Sequence, residues 1–320
     1  MNNIPRVAFG PVPSRRLGRS LGINNIPPKT CTYSCVYCQL GRTSNMQVER
    51  RIFYKPEEIA AAVKKKIKES EEKKEPIDYL TFVPDGEPTL DVNLGREIKL
   101  LKPLGIKIAV ITNASLMWRE DVRNDLCKAD WVSLKIDSAD EKTWKRINRP
   151  HPSLRLKEIL EGIFAFRKQF SGELCTETML VDGINIEDKH MEELAEFIAR
   201  LKPNKSYLSI PLRPPAEKWV RIPGEETVNK AYNVFKEKGI EVEYLIGYEE
   251  DSFASTGNIK EDILSITAVH PMREESVKKL VEKAGADWRV VEKLIDEKKI
   301  VEVTYRNKRF YMRNLSKKEL

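Results

Sequence analysis

Two spacings of apolar residues alternate along the first two thirds of the chain. Short apolar runs bounded by turn residues predict strands, and apolar residues recurring every three or four positions predict helices. The predicted strands are residues 20–24, 79–83, 107–112, 131–136, 174–181 and 207–212. The predicted helices lie between them, at residues 56–72, 94–104, 116–128, 154–170 and 188–201.

Six successive strand-then-helix units predict an α/β fold. Such units specify a parallel sheet with helices outside, and right-handed crossovers wind it into a barrel or part of one. A further helix at residues 223–239 and a strand at 241–246 are expected to lie against the barrel edge. Because the loops that follow parallel strands lie on one face, we expect the functional residues at the strand ends.

The last sixty residues have a different pattern. After a polar stretch at residues 249–258, which we interpret as a linker, three short amphipathic helices are predicted at 259–269, 273–284 and 287–298. Two strands follow at 300–305 and 309–312. Three helices and a β-hairpin form a winged-helix arrangement. We therefore predict two domains, a barrel at residues 1–250 and a small C-terminal winged-helix module at 258–320.

The charges of this module favour one of its surfaces for binding. The third helix mixes Arg289 and Lys293 with three carboxylates, which suits a DNA groove poorly. The hairpin is more basic, and this favours a grip on an RNA backbone or on a partner over reading of DNA sequence. A purely packing role is the alternative, since winged folds often lack nucleic-acid binding. The basic residues of the hairpin are Arg306, Lys308, Arg309 and Arg313.

Composition and charge narrow the functional class. The chain has 320 residues, 41% hydrophobic and 33% charged, as in a globular protein. It has neither an apolar run long enough to cross a membrane nor the apolar core of a signal peptide, so a cytoplasmic location is predicted. The net charge is +7, and residues 1–55 carry nine Lys or Arg against one Glu. The positive charge of this segment indicates one of two roles. It binds an anionic substrate such as nucleic acid, or it surrounds a metal centre and binds the flavodoxin or ferredoxin-type electron donor.

The strongest chemical signal is the spacing of Cys31, Cys35 and Cys38. Cysteine thiolates hold iron–sulfur clusters, and a cubane needs four ligands. The next cysteine is Cys127, so a cluster here would keep one iron open for chemistry. Zinc binding and disulfides are the alternatives. A zinc site would need a distant histidine as its fourth ligand, and the chain has only three histidines. The odd total of five cysteines argues against disulfides.

This C-x3-C-x2-C spacing resembles the signature of the radical S-adenosylmethionine (SAM) superfamily. The resemblance implies that the three thiolates hold a [4Fe-4S] cluster and that SAM chelates its fourth iron. One-electron reduction would then cleave SAM to methionine and a 5′-deoxyadenosyl radical. The resemblance also implies that the barrel is a partial (βα)6 barrel.

Further residues at the strand ends fit this resemblance. Asp85-Gly86-Glu87-Pro88 is similar to the Gly-Gly-Glu-Pro motif of the superfamily, which engages the SAM ammonium, with Asp85 in place of its first glycine. Alternation along the fourth strand puts Ser133, Lys135 and Asp137 on one face, which we place inside the barrel. A structural Lys–Asp pair is the alternative for the last two. Glu177 is a further interior candidate. The resemblance implies SAM binding by Tyr37, Gly86, Glu87, Pro88, Asn113, Ser133 and Asn185, while Lys135, Asp137 and Arg213 are expected to face SAM or substrate.

Within the superfamily, residues 11–22 leading to the cysteines look like the group related to wyosine synthases, which act on guanosine in tRNA. Two features of that group are absent: no cysteine precedes Cys31, and Gln39 and Leu40, not tryptophan, follow Cys38. The predicted substrate is RNA, with tRNA favoured. The alternatives are a protein or peptide, a small anionic metabolite, or a cluster- or SAM-based sensor that uses the winged-helix module as a regulator.

Overall fold

Strands and helices alternate in the computed structural model, which describes residues 7–245, 258–269 and 271–314. The strands up to residue 245 are β1 (Ala8–Ser14), β2 (Gly18–Ile23), β3 (Thr30–Cys31), β4 (Asn45–Met46), β5 (Tyr79–Phe82), β6 (Lys107–Thr112), β7 (Trp131–Lys135), β8 (Glu173–Met179), β9 (Lys205–Ser209) and β10 (Val242–Leu245). The helices are α1 (Pro56–Glu72), α2 (Leu94–Leu101), α3 (Glu120–Leu126), α4 (Glu141–Asn148), α5 (Leu156–Gln169), α6 (Asp188–Leu201) and α7 (Glu225–Glu237).

Eight of these strands form one sheet in the order β1-β2-β5-β6-β7-β8-β9-β10. From β2 to β10 every neighbouring pair is parallel, which confirms the predicted partial barrel. β1 pairs antiparallel with β2 at the edge and was not predicted, because Pro11 and Pro13 interrupt its apolar pattern. Proline lacks the N–H that a second neighbour would need, so an edge is where such a strand is tolerated.

Both faces of the parallel strands are buried, which explains their nearly continuous apolar runs. The outer face carries residues such as Leu80, Val110 and Val132, which pack in the large core with the helices. The inner face carries Trp131 and Tyr207, in a separate cluster with Leu17 from the β1–β2 turn. These large side chains fill the amino-terminal half of the barrel interior and leave its carboxyl-terminal half for a site.

Several boundaries differ from the prediction for physical reasons. The helix predicted at 94–104 changes to a 3₁₀ turn after Leu101, because Pro103 cannot continue the α-helical hydrogen bonds. The helix predicted at 116–128 begins only at Glu120. The strand predicted at 207–212 ends at Ser209, before Pro211. The short, polar α4 was not predicted at all, and the Asp140 side chain caps its start by accepting from the backbone N–H of Thr143 (2.7 Å).

The C-terminal region contains α8 (Ile259–Val269), β11 (Met272–Arg273), α9 (Glu274–Lys283), α10 (Arg289–Asp296), β12 (Ile300–Tyr305) and β13 (Lys308–Arg313). Its three strands pair antiparallel in the order β11-β13-β12 around a core of its own. The three helices and the hairpin lie where the sequence predicts them. The winged-helix assignment and the domain boundaries stay predictions, and the expected linker falls, apart from Asn258, outside the described residues. In the described part of the chain, no helix is both long and apolar enough to cross a membrane.

Candidate active site

The loop that carries the three cysteines follows β2, at the carboxyl end of the sheet. Its backbone is held by the end of α4: the N–H of Ser34 donates to the carbonyl of Asn148 (3.1 Å), and the N–H of Val36 donates to that of Ile147 (2.9 Å). The last carbonyls of a helix have no partner within the helix, so they are available for such bonds. A helix that the sequence did not reveal therefore fixes the shape of the cysteine loop.

Two of the three sulfur atoms accept a hydrogen bond from a side-chain amide. The Nδ2 atom of Asn113 lies 3.4 Å from the Sγ of Cys31, and the Nδ2 atom of Asn148 lies 3.4 Å from the Sγ of Cys35. Hydrogen bonds to sulfur are one of the means by which proteins tune iron–sulfur clusters. The contact of Asn148 could not be read from its position in a short polar helix.

The environment of the thiols fits a cluster. Burial raises the pKa of all three thiols, that of Cys35 to about 12, so they would stay protonated at neutral pH without a metal ion. A coordinated metal reverses this, because a bound thiol loses its proton outright. In the described part of the chain, no group of three or more Cys, His, Asp or Glu side chains is arranged around a single metal ion. Three partly buried thiols, two of them with an amide donor, instead suit a cubane, in which each thiolate binds a different iron.

The Asp85–Pro88 motif packs against the residues that precede Cys31. The carbonyl of Asp85 accepts from the N–H of Lys29 (2.6 Å), and the N–H of Glu87 donates to the carbonyl of Thr30 (3.1 Å). A Cβ atom on Gly86 would lie 1.9 Å from that same carbonyl oxygen, so the position requires glycine. The backbone of the motif thus fixes the position of the segment that leads into the cysteine loop.

The carboxylate of Glu87 joins two strand ends. One oxygen accepts from the hydroxyls of Thr89 (2.5 Å) and Thr112 (2.6 Å), and the other accepts from the N–H of Asn113 (2.7 Å). Burial raises the pKa of Glu87, although these donors oppose the rise. The carbonyl of Pro88 accepts from Asn25 (3.2 Å). The structure therefore gives Glu87 and Pro88 a framework role, and their contact with SAM stays a prediction.

Asp137 and Asn185 lie in a buried network below the cysteine loop. Asp137 accepts from the hydroxyl of Tyr37, from the amide of Asn148 (2.7 Å) and from the N–H of Met179 (2.8 Å). Asn185 donates to the carbonyls of Asp137 and Met179, both at 2.9 Å. Burial raises the pKa of Asp137. These contacts position Tyr37 and the strand ends. Asp137 is not among the residues that line the cavity described below, where Lys135 and Arg213 lie. Ser133 is buried in β7, and within the described residues its hydroxyl has no hydrogen-bond partner.

A cavity of about 340 Å³ opens beside the second and third cysteines. Tyr37 forms part of its wall, and four cationic side chains face it together with one carboxylate, that of Glu177. The rest of the wall is mainly apolar. The lining residues are Arg15, Arg16, Cys35, Tyr37, Cys38, Gln39, Leu40, Lys135, Glu177, Met179, Ser209, Ile210, Pro211, Leu212, Arg213 and Leu245.

Glu177 is the centre of the polar wall. It forms ion pairs with Lys135 (2.9 Å) and Arg16, and it accepts from the hydroxyl of Ser209 (3.1 Å). Burial alone would raise its pKa, but Lys135 and Arg16 outweigh burial and lower the pKa to about 2. For Lys135, burial alone would lower the pKa. The negative charges of Glu177 and Asp137 outweigh burial, so the pKa of Lys135 is raised. Both groups are therefore charged at neutral pH, and the hydrogen-bonded partner of Lys135 is Glu177, not Asp137.

Two arginines complete the cavity from distant parts of the chain. Arg213 donates to the side-chain oxygen of Gln39 (3.2 Å), next to Cys38, as expected for a residue that follows a strand. Arg16 comes from the β1–β2 turn, and its guanidinium also lies 6.0 Å from the centre of the Tyr207 ring. The sequence showed Arg16 only as part of a basic segment, because nothing local connects it with a carboxylate 161 positions away.

Part of the positive charge of residues 1–55 is paired with carboxylates of other segments. Arg42 pairs with Glu217 (2.8 Å), and the buried Arg50 pairs with Asp121 (2.7 Å) and Asp125 (2.6 Å). Arg16 is paired as well, and the side chains of Arg16 and Arg50 are largely buried, whereas that of Arg42 is exposed. The segment therefore offers a ligand less charge than its composition indicates.

Comparison with known proteins agrees with this geometry. The family model described as the radical SAM superfamily matches residues 25–198, more than half of the chain. A UPF0026 protein of Methanocaldococcus jannaschii is 50% identical over 315 residues, which cover 98% of each chain. A probable GTP 3′,8-cyclase of Pyrococcus horikoshii is 28% identical over 149 residues, covering 44% of this chain and 41% of that protein.

The fold also has a counterpart among solved structures. A radical SAM methyltransferase from Sphaerobacter thermophilus superposes with a TM-score of 0.54 over 71% of this chain and 66% of that chain, at 17% identity. At this identity the likeness concerns the fold alone. The family match, the near full-length relative and the three clustered thiols together show that this chain belongs to the radical SAM superfamily and, within it, to the UPF0026 proteins: it is an enzyme whose cofactors are a [4Fe-4S] cluster and SAM.

Proposed function

We propose that this enzyme cleaves SAM reductively and uses the resulting radical to modify a base in RNA, with tRNA favoured. When bound, the cluster and SAM supply one electron and a 5′-deoxyadenosyl radical that abstracts a hydrogen atom. Cys31, Cys35 and Cys38 would hold the cluster. The observation that supports an anionic substrate is the cavity in which two of these thiols adjoin Lys135 and Arg213.

The walls of this cavity suit a nucleotide. Arginine offers a planar fork that matches a phosphate or carboxylate, and Lys135 adds a point charge. The lining also contains Leu40, Ile210 and Leu212, which can pack against a flat ring. Known small-molecule pockets run from about 300 to 1,000 Å³, so this one has room for SAM or for part of a substrate, with the remainder of the substrate outside.

Glu177 would orient the cationic groups rather than bind an anion itself. Its paired carboxylate holds Lys135 and Arg16 in place before a ligand arrives, so less ordering is needed on binding. Tyr37 is fixed between Asp137 and the ammonium of Lys135, whose Nζ lies 5.0 Å from the centre of its ring. Through Tyr37, this arrangement links the wall of the cavity to the cysteine loop.

Two further points support a nucleotide substrate and an external electron source. The P. horikoshii relative is, by its name, a cyclase of GTP, and the sequence resembles the wyosine-related group. A flavodoxin or ferredoxin-type protein would deliver the electron. Such donors commonly carry negative charge, which complements the cations left exposed in residues 1–55.

Cleavage of SAM is tested first, without any substrate. The anaerobically reconstituted enzyme, reduced with dithionite, is expected to form 5′-deoxyadenosine, measured by liquid chromatography and mass spectrometry. Replacement of Cys31, Cys35 or Cys38 by alanine should abolish the cluster absorbance and the product. Cys127→Ala is the matched control and should keep both. A wild-type enzyme with an intact cluster and no 5′-deoxyadenosine would refute the proposal.

The substrate is tested separately. Bulk tRNA from a strain that lacks the gene is incubated with enzyme and SAM, and its nucleosides are analysed by mass. A new SAM-dependent nucleoside would support RNA modification. Cleavage of SAM with unchanged nucleosides would redirect the search to a peptide or a small anionic metabolite. Sequence-specific DNA binding without SAM turnover would favour a sensor.

A further inference from the structure

The C-terminal module, described at residues 258–269 and 271–314, contacts the barrel next to two parts of the cavity wall. Val12 of β1 packs against the core of the module, three residues before the cavity-lining Arg15. On the other side, the hydroxyl of Tyr305 donates to the carbonyl of Pro211 (2.9 Å), and Pro211 itself lines the cavity. The module is therefore placed to influence what enters the cavity.

The contact through Tyr305 fixes the position of the hairpin tip. Tyr305 ends β12, and the next two residues, Arg306 and Asn307, form the turn with positive φ angles of 51° and 58°. Two consecutive residues of this conformation make the tight type I′ turn that suits a two-residue hairpin. The tip thus begins one residue after the contact with the cavity rim.

The charge at the tip is positive. The side chains of Arg306 and Lys308 are exposed, and Arg309 is exposed too but pairs with Glu274 (3.0 Å) and approaches Glu302 (3.9 Å). These carboxylates reduce the contribution of Arg309, and the exposed Arg306 and Lys308 add positive charge to the tip. Exposed cations of this kind bind the phosphates of nucleic acids.

Helix α10 is a poorer candidate for the same task. Its exposed Arg289 lies beside Asp287, whose carboxylate is 3.8 Å from the guanidinium. Its exposed Lys293 follows Glu292 directly, so the surface is mixed in sign. The two surfaces therefore predict different outcomes for charge reversal.

We propose that the β12–β13 hairpin is a phosphate-binding arm of the active site. It holds the RNA backbone outside the cavity while the reacting nucleotide enters the cavity itself. This inference rests on the proposed RNA substrate. The contact between Tyr305 and Pro211 fixes how far the bound phosphates lie from the reacting base.

Binding is tested with the full-length, cluster-loaded protein and bulk tRNA, by fluorescence anisotropy at several salt concentrations. The double variant R306E/K308E is expected to bind at least about tenfold more weakly at low salt, with the slope of log K against log salt reduced by about one to two. The matched variant R289E/K293E should bind like the wild type. All four positions are exposed, so both variants should unfold at the wild-type temperature.

Several outcomes would contradict the proposal that the β12–β13 hairpin binds phosphates. It is wrong if R289E/K293E weakens binding while R306E/K308E does not, or if poly-L-glutamate displaces tRNA at equal charge concentration, which would indicate an acidic protein partner. The arm and the proposed function can fail separately. Absence of 5′-deoxyadenosine from the wild type refutes the function alone, whereas unchanged tRNA binding by R306E/K308E refutes the arm alone.

The role of the hydrogen bond between Tyr305 and Pro211 is tested with Y305F. This variant keeps every charge but loses the hydrogen bond to Pro211, so tRNA affinity should stay within about twofold while kcat for base modification falls. The ratio of 5′-deoxyadenosine to modified base should rise, because the radical is then formed without an aligned base. Y244F, which loses the exposed hydrogen bond to Asn229 (2.9 Å), is the control and should keep the wild-type ratio. An unchanged ratio in Y305F would exclude a positioning role.

Discussion

The side-chain amide of Asn148 lies 3.4 Å from the Sγ atom of Cys35 and, with the same nitrogen, 2.7 Å from the carboxylate of Asp137. One side chain at the end of α4 therefore connects Cys35, a predicted iron ligand, with the strand end that carries Asp137. The same residue's carbonyl supports the cysteine loop by accepting from Ser34. These contacts give Asn148 two separable functions, one in folding and one at the sulfur.

Replacement of Asn148 by leucine is expected to make the reduction potential of the cluster more negative. An N–H donor stabilises the extra negative charge of the reduced cluster, so its loss disfavours reduction. Each tenfold change in the one-electron equilibrium corresponds to about 59 mV, which a redox titration followed by electron paramagnetic resonance resolves. The exposed Asn229→Leu is the control. An unchanged potential in N148L, at full iron content, would show that the contact with Cys35 has no electronic effect.

The carboxylate of Glu177 should make stability fall in acid. Its pKa is about 2 in the folded protein, against an ordinary value of 4.5, so the folded state favours the ionised form. Its contribution is complete above pH 4.5 and is lost as the pH falls towards 2. It amounts to roughly 3 kcal/mol by linkage.

Urea unfolding of wild type and E177Q between pH 7 and pH 3 measures this contribution. The variant should lose about 3 kcal/mol or more at pH 7, because Lys135 and Arg16 would remain buried without their counter-charge. The difference between the two proteins should shrink as the pH falls. A difference that stays constant with pH would show that the pKa of Glu177 is not lowered in the folded state.

The sequence revealed the residues whose signal is local. Cysteine spacing identified Cys31, Cys35 and Cys38, and apolar runs located the parallel strands because both faces of the sheet are buried. Alternation along β7 placed Lys135 towards the interior, where it lines the cavity. These features depend on neighbours within a few positions, so a single sequence contains them.

The features that were missed depend on contacts between distant segments. Arg16 meets Glu177 only because the β1–β2 turn reaches into the barrel, and Asn148 meets Cys35 only because the short α4 ends at the cysteine loop. Asp137 lies in the buried network with Tyr37 and Asn148 and does not line the cavity of Lys135, and its contact with SAM or substrate stays a prediction. Hydrophobic periodicity records which face of an element is buried, and it does not record which polar groups face each other across the interior.

The buried carboxyl pair of Glu97 and Asp91 predicts that stability falls as the pH rises, which is opposite to the effect of Glu177. Burial, followed by the negative charge of Asp91, raises the pKa of Glu97 to about 9, and the amide of Asn25 donates to it (3.3 Å). The folded state therefore binds a proton that the unfolded state releases near pH 4.5. Stability from this group is complete below pH 4.5 and is lost progressively as the pH rises to 9.

Thermal or urea unfolding between pH 6 and pH 9 tests this assignment. The wild type should lose stability by up to about 1.4 kcal/mol per pH unit, and E97Q, which is neutral at every pH, should show a flatter profile. Glu141→Gln, at an exposed position paired with Lys145, is the control and should follow the wild type. Parallel profiles for wild type and E97Q would mean that Glu97 is ionised in the folded protein.

Gly86→Ala should disturb the cluster site through the backbone. The added methyl group would lie 1.9 Å from the carbonyl oxygen of Thr30, which is backbone and cannot rotate away, so the segment before Cys31 must move. We expect a loss of about 1–3 kcal/mol in stability, as for other overpacked sites, and fewer iron atoms per chain after reconstitution. Gly224→Ala is the matched control, because a Cβ there meets nothing within 4 Å. If G86A took up iron as fully as G224A, the close approach of the Asp85–Pro88 motif would not determine the position of the cysteine loop.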